Sequence, residues 1–177
     1  VYGMSDHAAL PDNRWNNVRM AHQELNDYVA AVRYARTEVP EITVLLGMEC
    51  EDIPEFRSYY KEELLGRRHF DYLIGAGHYT PLEGEWLNSF SELTNARALR
   101  AYSDHLAEMM VTGLYAFIAH PDVYGVCLDR WDREAETCAR DILAAAADTN
   151  TPLEINGNGL RKRPIFTSEG ERKPYPW

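Results

Sequence analysis

The sequence predicts an α/β fold in which a parallel sheet is covered by helices, either doubly wound or closed as a barrel. Three observations predict it. Short continuous runs rich in Val, Ile, Leu and aromatic residues recur along the chain, as strands buried on both faces require. Longer stretches of helical period separate those runs. Polar, chemically versatile residues follow each run directly, where the open rim of a parallel sheet gathers ligands.

Taken in order, strands are expected at residues 1–5, 42–48, 72–75, 114–119 and 153–155, all of them read as buried. The first helix is expected over 14–38, with apolar positions at Val18, Leu25, Tyr28, Val29 and Val32 and Pro40 as the stop. A second helix over 94–112 places Leu99, Tyr102, Leu106, Met109 and Met110 on one side, with Gly113 just past its end. A third, over 131–149, does the same with Trp131, Ala135, Cys138, Ile142 and Ala146. Residues 156–176 read as the one long loop, and loops of that length are usually functional or disordered.

Composition bounds the function. A chain of 177 residues with 45% hydrophobic and 26% charged content is a single globular domain with a substantial core. With 18 Lys and Arg against 28 Asp and Glu, the net charge of −10 argues against a general binder of nucleic acid or anionic membrane, while leaving room for a local basic pocket. Cys50, Cys127 and Cys138 lie in apolar stretches without C-x-x-C spacing, which fits a reducing compartment, and the cytoplasm is the expected location. No apolar run approaches the 18 or more residues of a membrane span, and no nucleotide-binding fingerprint or thiol-nucleophile loop follows any strand. The oligomeric state is left open, a homo-oligomer included.

The expected strand ends carry Ser5-Asp6-His7, Glu49, His78, His120-Pro121-Asp122, and Glu154 with Asn156. Imidazole with carboxylate is the ligand mix that suits Zn, Mn or Fe. A single strand-end histidine is more often hydrogen-bonded structure than a ligand, but four such positions together favour a metal site at His7, Glu49, His78 and His120. The bland alternative is a buried polar network among the same four. His22, His69 and His105 read as surface or interface histidines.

The phrases SDHAAL, LLGMECEDIPEF, FDYLIGAGHY, FIAHPDVYG and PLEINGNGLRK followed by PYP resemble, in order, the successive motifs of the PHP (polymerase and histidinol phosphatase) family, and most closely its histidinol-phosphatase branch. The resemblance runs over nearly the whole chain. It implies a distorted seven-stranded parallel β/α barrel whose rim holds up to three divalent metals. It implies further that Glu49 bridges two metals, that His78 and His120 are ligands of one of them, and that His7 is a ligand of the third. Glu49, His78 and His120 then carry the catalysis through metal-activated water. Arg161, with Lys162 beside it, resembles the cation that grips the substrate phosphate; taken alone, both would read as solvated loop charges. Glu154 and Asn156 shape the rim.

The family's opening His-x-His and closing Asp-x-His motifs are not in this sequence. Because β/α barrels typically need about 250 residues, and the chain begins at Val1 inside an apolar run, residues 1–177 are expected to be the central portion of one such domain, incomplete at both ends, with weakened or absent activity if they stand alone. The function implied is hydrolysis of a small phosphomonoester, L-histidinol phosphate in histidine biosynthesis first. The alternatives are a PHP phosphoesterase for a nucleotide, sugar phosphate or phosphotyrosyl peptide, and a non-catalytic remnant that binds metal.

Overall fold

The computed structural model describes residues 1–175; Pro176 and Trp177, the end of the expected aromatic PYP phrase, lie outside the described residues. The architecture is mixed α/β with a parallel sheet of strand order β1-β2-β3-β6, part of a β/α barrel as expected. Two compact units divide the chain, Val1–Gly75 and Ala76–Trp177.

In the first unit β1 (Tyr2–Met4) and β2 (Val44–Glu51) pair in parallel, Gly3 opposite Leu45, and α1 (Leu25–Glu38) makes the crossover between them. The Tyr28 hydroxyl on α1 donates to the Gly47 carbonyl at 2.9 Å, and Arg36 Nε donates to the Val44 carbonyl at 2.8 Å, so the helix is tied to β2 by side chains as well as by Val29 and Val32. Tyr72, the first residue of β3 (Tyr72–Ala76), lies across the two strands. A Cβ at Gly3 would meet its hydroxyl at 2.5 Å and one at Gly47 its ring at 2.2 Å, which is why both positions lack a side chain.

Three expectations are corrected here. The first helix does not start at residue 14: a short 3-10 turn, His22–Glu24, precedes α1, and Val18 is 52% exposed. Asn13 and Trp15 have left-handed backbones, each with φ of 57°, Arg19 bonds to Glu51 at the end of β2 and Arg14 to Glu55 just beyond it, so this segment is a side-chain-anchored loop. The first strand is not buried, Val1 and Tyr2 being 91% and 64% exposed. Between β2 and β3 the sequence reading found no helix, yet Tyr59–Arg67 forms a π-helix that buries Tyr60 and Leu64.

In the second unit β4 (Tyr79–Leu82) and β5 (Glu85–Asn88) form a hairpin unforeseen in the sequence, its two-residue turn of Glu83 and Gly84 having φ values of 53° and 87° as type I′ geometry requires. Next comes α2 (Ala96–Val111), capped by the Asn95 side chain on the Ala98 N–H at 3.0 Å, a cap the sequence reading did not name, and followed by Gly113 at φ 63°, the position it did predict past the helix end. Strand β6 (Phe117–Ala119) leads through a 3-10 turn, Val123–Cys127, to α3 (Arg133–Thr149), which packs with α2 and buries Ala135, Cys138 and Ile142. Trp131, expected on that apolar side, precedes α3 and is 41% exposed. The expected strand at 153–155 is reduced to one parallel bridge, Leu153 with Ile118. The expected long loop instead holds a short helix, α4 (Asn158–Arg161), and a hairpin of β7 (Ile165–Thr167) and β8 (Gly170–Arg172). Asp129 accepts from the Ser168 N–H at 2.7 Å, and Arg172 donates to the Gly125 carbonyl at 2.7 Å, which fixes that hairpin to the turn after β6.

Candidate functional site

In the first unit, parallel sheet bonding resumes one step beyond β1. The Glu49 N–H donates to the Asp6 carbonyl at 2.9 Å and the Ala8 N–H to the Glu49 carbonyl at 2.8 Å, so His7 and Glu49 are bridge partners. Asp6 also accepts from the His7 N–H at 2.7 Å. His7 Nδ1 and Glu49 Oε2 stand 3.8 Å apart, too far for a hydrogen bond but the spacing of two ligands that each reach one ion at about 2.0–2.2 Å. Both side chains retain solvent access, 39% and 17%.

The rest of the β2 end is neutralised internally. Arg19 pairs with Glu51 at 3.1 Å, both side chains almost wholly buried, and the Arg57 guanidinium grips Asp52, with Nε to Oδ1 at 3.0 Å. Sequence reasoning missed both pairs: Arg19 lies 32 residues from Glu51, and although Arg57 is only 5 from Asp52, no helical or strand period joins them. Cys50 is no candidate nucleophile: burial, reinforced by the charges of Glu51 and Glu49, pushes its thiol well above the ordinary range and keeps it protonated.

In the second unit His78 and His120 come together, ring centroids 4.8 Å apart. Phe90 stacks on His78 at 5.7 Å and also meets His120 at 6.3 Å. The His78 carbonyl accepts from the Ser89 N–H at 2.8 Å, so the foot of the β4–β5 hairpin sets its backbone. The residue before it is glycine in close quarters, since a Cβ at Gly77 would lie 2.9 Å from the Leu106 Cδ2 and 3.1 Å from the Tyr102 ring and would push those side chains aside. His120 has φ of 32°, a left-handed conformation that costs a non-glycine residue about 1–3 kcal/mol. Two bonds brace it: the His120 N–H donates to Glu154 Oε2 at 2.9 Å, and the Tyr102 hydroxyl donates to the next carbonyl, Pro121, at 3.0 Å.

Lys162 places its ammonium between the faces of Phe90 and Tyr175, at 5.2 and 5.3 Å, so its charge lies beside the ring that packs on both histidines. Arg161, the last residue of α4, is exposed. The roles of Phe90 and Tyr102 had no motif to announce them, and Tyr175, though inside the PYP phrase, was assigned no role there. Glu154 and Asn156 were legible as rim residues, though not as partners of His120. His105 is buried rather than superficial and meets Trp86 edge-on at 6.0 Å.

The sequence model of the PHP domain matches residues 1–158. The chain belongs to the PHP domain family. Among curated proteins it is similar to "Probable histidinol-phosphatase" of Deinococcus radiodurans, with 28% identity over 126 residues, 67% of this chain and 47% of that protein. The chain thus spans about half the length of that relative. Among solved structures it resembles the crystal structure described as the "putative histidinol phosphatase hisK" of Listeria monocytogenes, with a TM-score of 0.71, 15% identity, and 90% of this chain and 71% of that one covered. That likeness bears out the barrel fold read from the motifs. PHP proteins are metal-dependent, and the donor atoms of His7 and Glu49 are of the kind that could hold a metal. Among the described residues no helix is long and apolar enough to cross a membrane.

Proposed function

We propose that this PHP domain is a metal-dependent phosphatase of small phosphomonoesters, with L-histidinol phosphate as its substrate and with His7, Glu49, His78 and His120 as ligands of divalent ions. The observation that carries the reading is the family match over residues 1–158, which takes in all four side chains. The name of the Deinococcus relative supports the choice of substrate. Zn, Mn or Fe each suit imidazole with carboxylate. When bound, such ions supply Lewis acidity and a lowered pKa for water.

The chain's own residues do the rest. Glu49 brings two carboxylate oxygens and so can serve two ions, while the histidines contribute neutral donors and leave the ions' charge for the phosphate. Lys162, its ammonium flanked by Phe90 and Tyr175, is the better-supported phosphate cation of the expected pair, since its head is held near His78 and His120 through Phe90. Arg161 then serves as an outer, solvent-exposed guide for the same dianion. Phe90 offers an apolar wall on which an imidazole or other flat group of the alcohol can lie.

The test is phosphate release from histidinol phosphate by the chain supplied with Mn2+ or Zn2+, beside p-nitrophenyl phosphate and a Glu49→Gln control. Turnover that favours histidinol phosphate, falls to background in Glu49→Gln and disappears with EDTA supports the reading. A folded chain that takes up metal yet hydrolyses neither ester would leave a metal-binding remnant. Hydrolysis indifferent to EDTA and to Glu49→Gln would sink the metal-phosphatase reading.

A further inference from the structure

The Glu154 carboxylate accepts the backbone N–H of His120 at 2.9 Å, across 34 residues of sequence. Three features give that bond meaning. First, His120 is in the left-handed region, φ 32°, directly after β6, where an extended backbone would aim its side chain elsewhere. Second, Glu154 is itself fixed by the sheet: its N–H donates to the Ile118 carbonyl at 2.9 Å as the parallel bridge between Leu153 and Ile118 closes. Third, the same oxygen, Oε2, accepts from Asn156 Nδ2 at 3.0 Å, and Asn156 Oδ1 in turn accepts from the Asn158 N–H, the start of α4, at 2.7 Å. Glu154 is therefore aimed from two sides at a single N–H.

We propose that Glu154, oriented by Asn156, is the positioning residue of His120: its carboxylate clasps the His120 N–H, holds the left-handed backbone in place and so keeps the imidazole turned to its partner His78. The inference rests on the reading of His120 as a metal ligand. Glu154 touches neither substrate nor ion in this scheme. It acts on the angle at which His120 presents its donor nitrogen, and outer partners of metal-binding histidines commonly govern affinity in this way. The choice of Glu follows from the geometry, since the negative charge strengthens the bond that opposes the backbone strain. One oxygen takes both bonds, so a glutamine at 154 can keep the arrangement through its amide oxygen.

The experiment measures Mn2+ affinity by titration calorimetry on the full chain and its Glu154→Ala, Glu154→Gln, Asn156→Ala and His120→Ala variants, with thermal unfolding of each as the structural control. Expected is a loss of about 10- to 100-fold in affinity for Glu154→Ala, most of it recovered in Glu154→Gln, and a smaller loss for Asn156→Ala. A purely structural role would lower the unfolding temperature while leaving Mn2+ affinity unmoved. If Glu154→Ala binds Mn2+ as tightly as the parent while His120→Ala does not, the inference is overturned and the metal reading stands. If His120→Ala also binds as the parent does, the metal reading fails and takes the inference with it. Should Glu154→Ala not fold, Asn156→Ala decides, and unchanged affinity there overturns the inference.

Discussion

Two pairs of ligand-type side chains, one in each unit, are held by different means. His7 and Glu49 stand opposite each other because sheet bonding between their own backbones resumes beyond β1, with N–H donors to the Asp6 and Glu49 carbonyls. His78 and His120 meet because residues distant in sequence brace them: Ser89 on one backbone, Glu154 and Tyr102 around the other, Phe90 against both rings. The first arrangement follows from regular strand geometry and tolerates variation in its surroundings. The second depends on particular side chains, so a single substitution far along the chain can move it.

The largest effect is expected where the first unit departs from that tolerance. Glu51 ends the strand that carries Glu49, and its side chain is 0% exposed beside Arg19 at 2%. Arg19→Met removes the cation and strands the carboxylate in the interior, at a cost of about 3–5 kcal/mol. Urea unfolding checks this as a lowered midpoint at unchanged slope. A loss under 1 kcal/mol would show that the β2 end relaxes freely, and the contrast between a sheet-held and a side-chain-held pair would lose its basis.

Next is Gly159→Ala in the second unit. The new methyl would lie 2.1 Å from the Tyr175 carbonyl oxygen, a backbone atom, so α4 and Tyr175 must part. Overpacking of this kind costs about 1–3 kcal/mol, and it opens one side of the slot that holds Lys162. In hydrolysis assays the Michaelis constant is expected to rise more than turnover falls. Equal losses in both would place Lys162 outside phosphate binding.

A smaller step, Tyr102→Phe, keeps the ring that Gly77 accommodates and removes only the hydroxyl donor to Pro121. The expected stability loss is about 1 kcal/mol. Mn2+ affinity should also weaken, because the turn after His120 loses one of its braces. The matching probe in the first unit is Asp6→Ala. It removes only the side-chain bond to the His7 N–H and leaves the sheet bond at the Asp6 carbonyl, so the first pair should hold its place. If Asp6→Ala perturbs metal binding more than Tyr102→Phe does, the comparison is reversed.

The same division explains what the sequence could tell. Strands β2, β3 and β6 and helices α2 and α3 were legible because burial imposes a period on their residues, and the strand-end positions of His7, Glu49, His78 and His120 followed from where those runs stop. The family motifs added what periodicity could not, the identity of the fold. What escaped reading was set by pairings across long sequence separations. The loop at 11–20 carries enough apolar residues to mimic a helix, but Arg14 and Arg19 hold it to Glu55 and Glu51. The π-helix at Tyr59–Arg67 offers only Tyr60 and Leu64 to the core, too few to announce a period. The β4–β5 hairpin was there to be read in its Glu83-Gly84 turn, while the bracing of His120 by Glu154, 34 residues on, was not.

The smallest predicted effect tests whether burial, rather than ion pairing as such, sets these magnitudes. Arg140 on α3 donates to Glu136 through Nε at 2.9 Å and Nη2 at 2.7 Å, a closer contact than Arg19 makes with Glu51. Yet its side chain is 75% exposed and that of Glu136 48%, so water and salt screen the pair and its ordering entropy offsets much of the attraction. Arg140→Ala should therefore change unfolding free energy by no more than about 0.5 kcal/mol. Raising the salt should shrink even that, while leaving the Arg19→Met deficit almost intact. A cost at Arg140 near that at Arg19 would mean that geometry outweighs solvent exposure here, and the rank order of the preceding predictions would have to be rebuilt on distance.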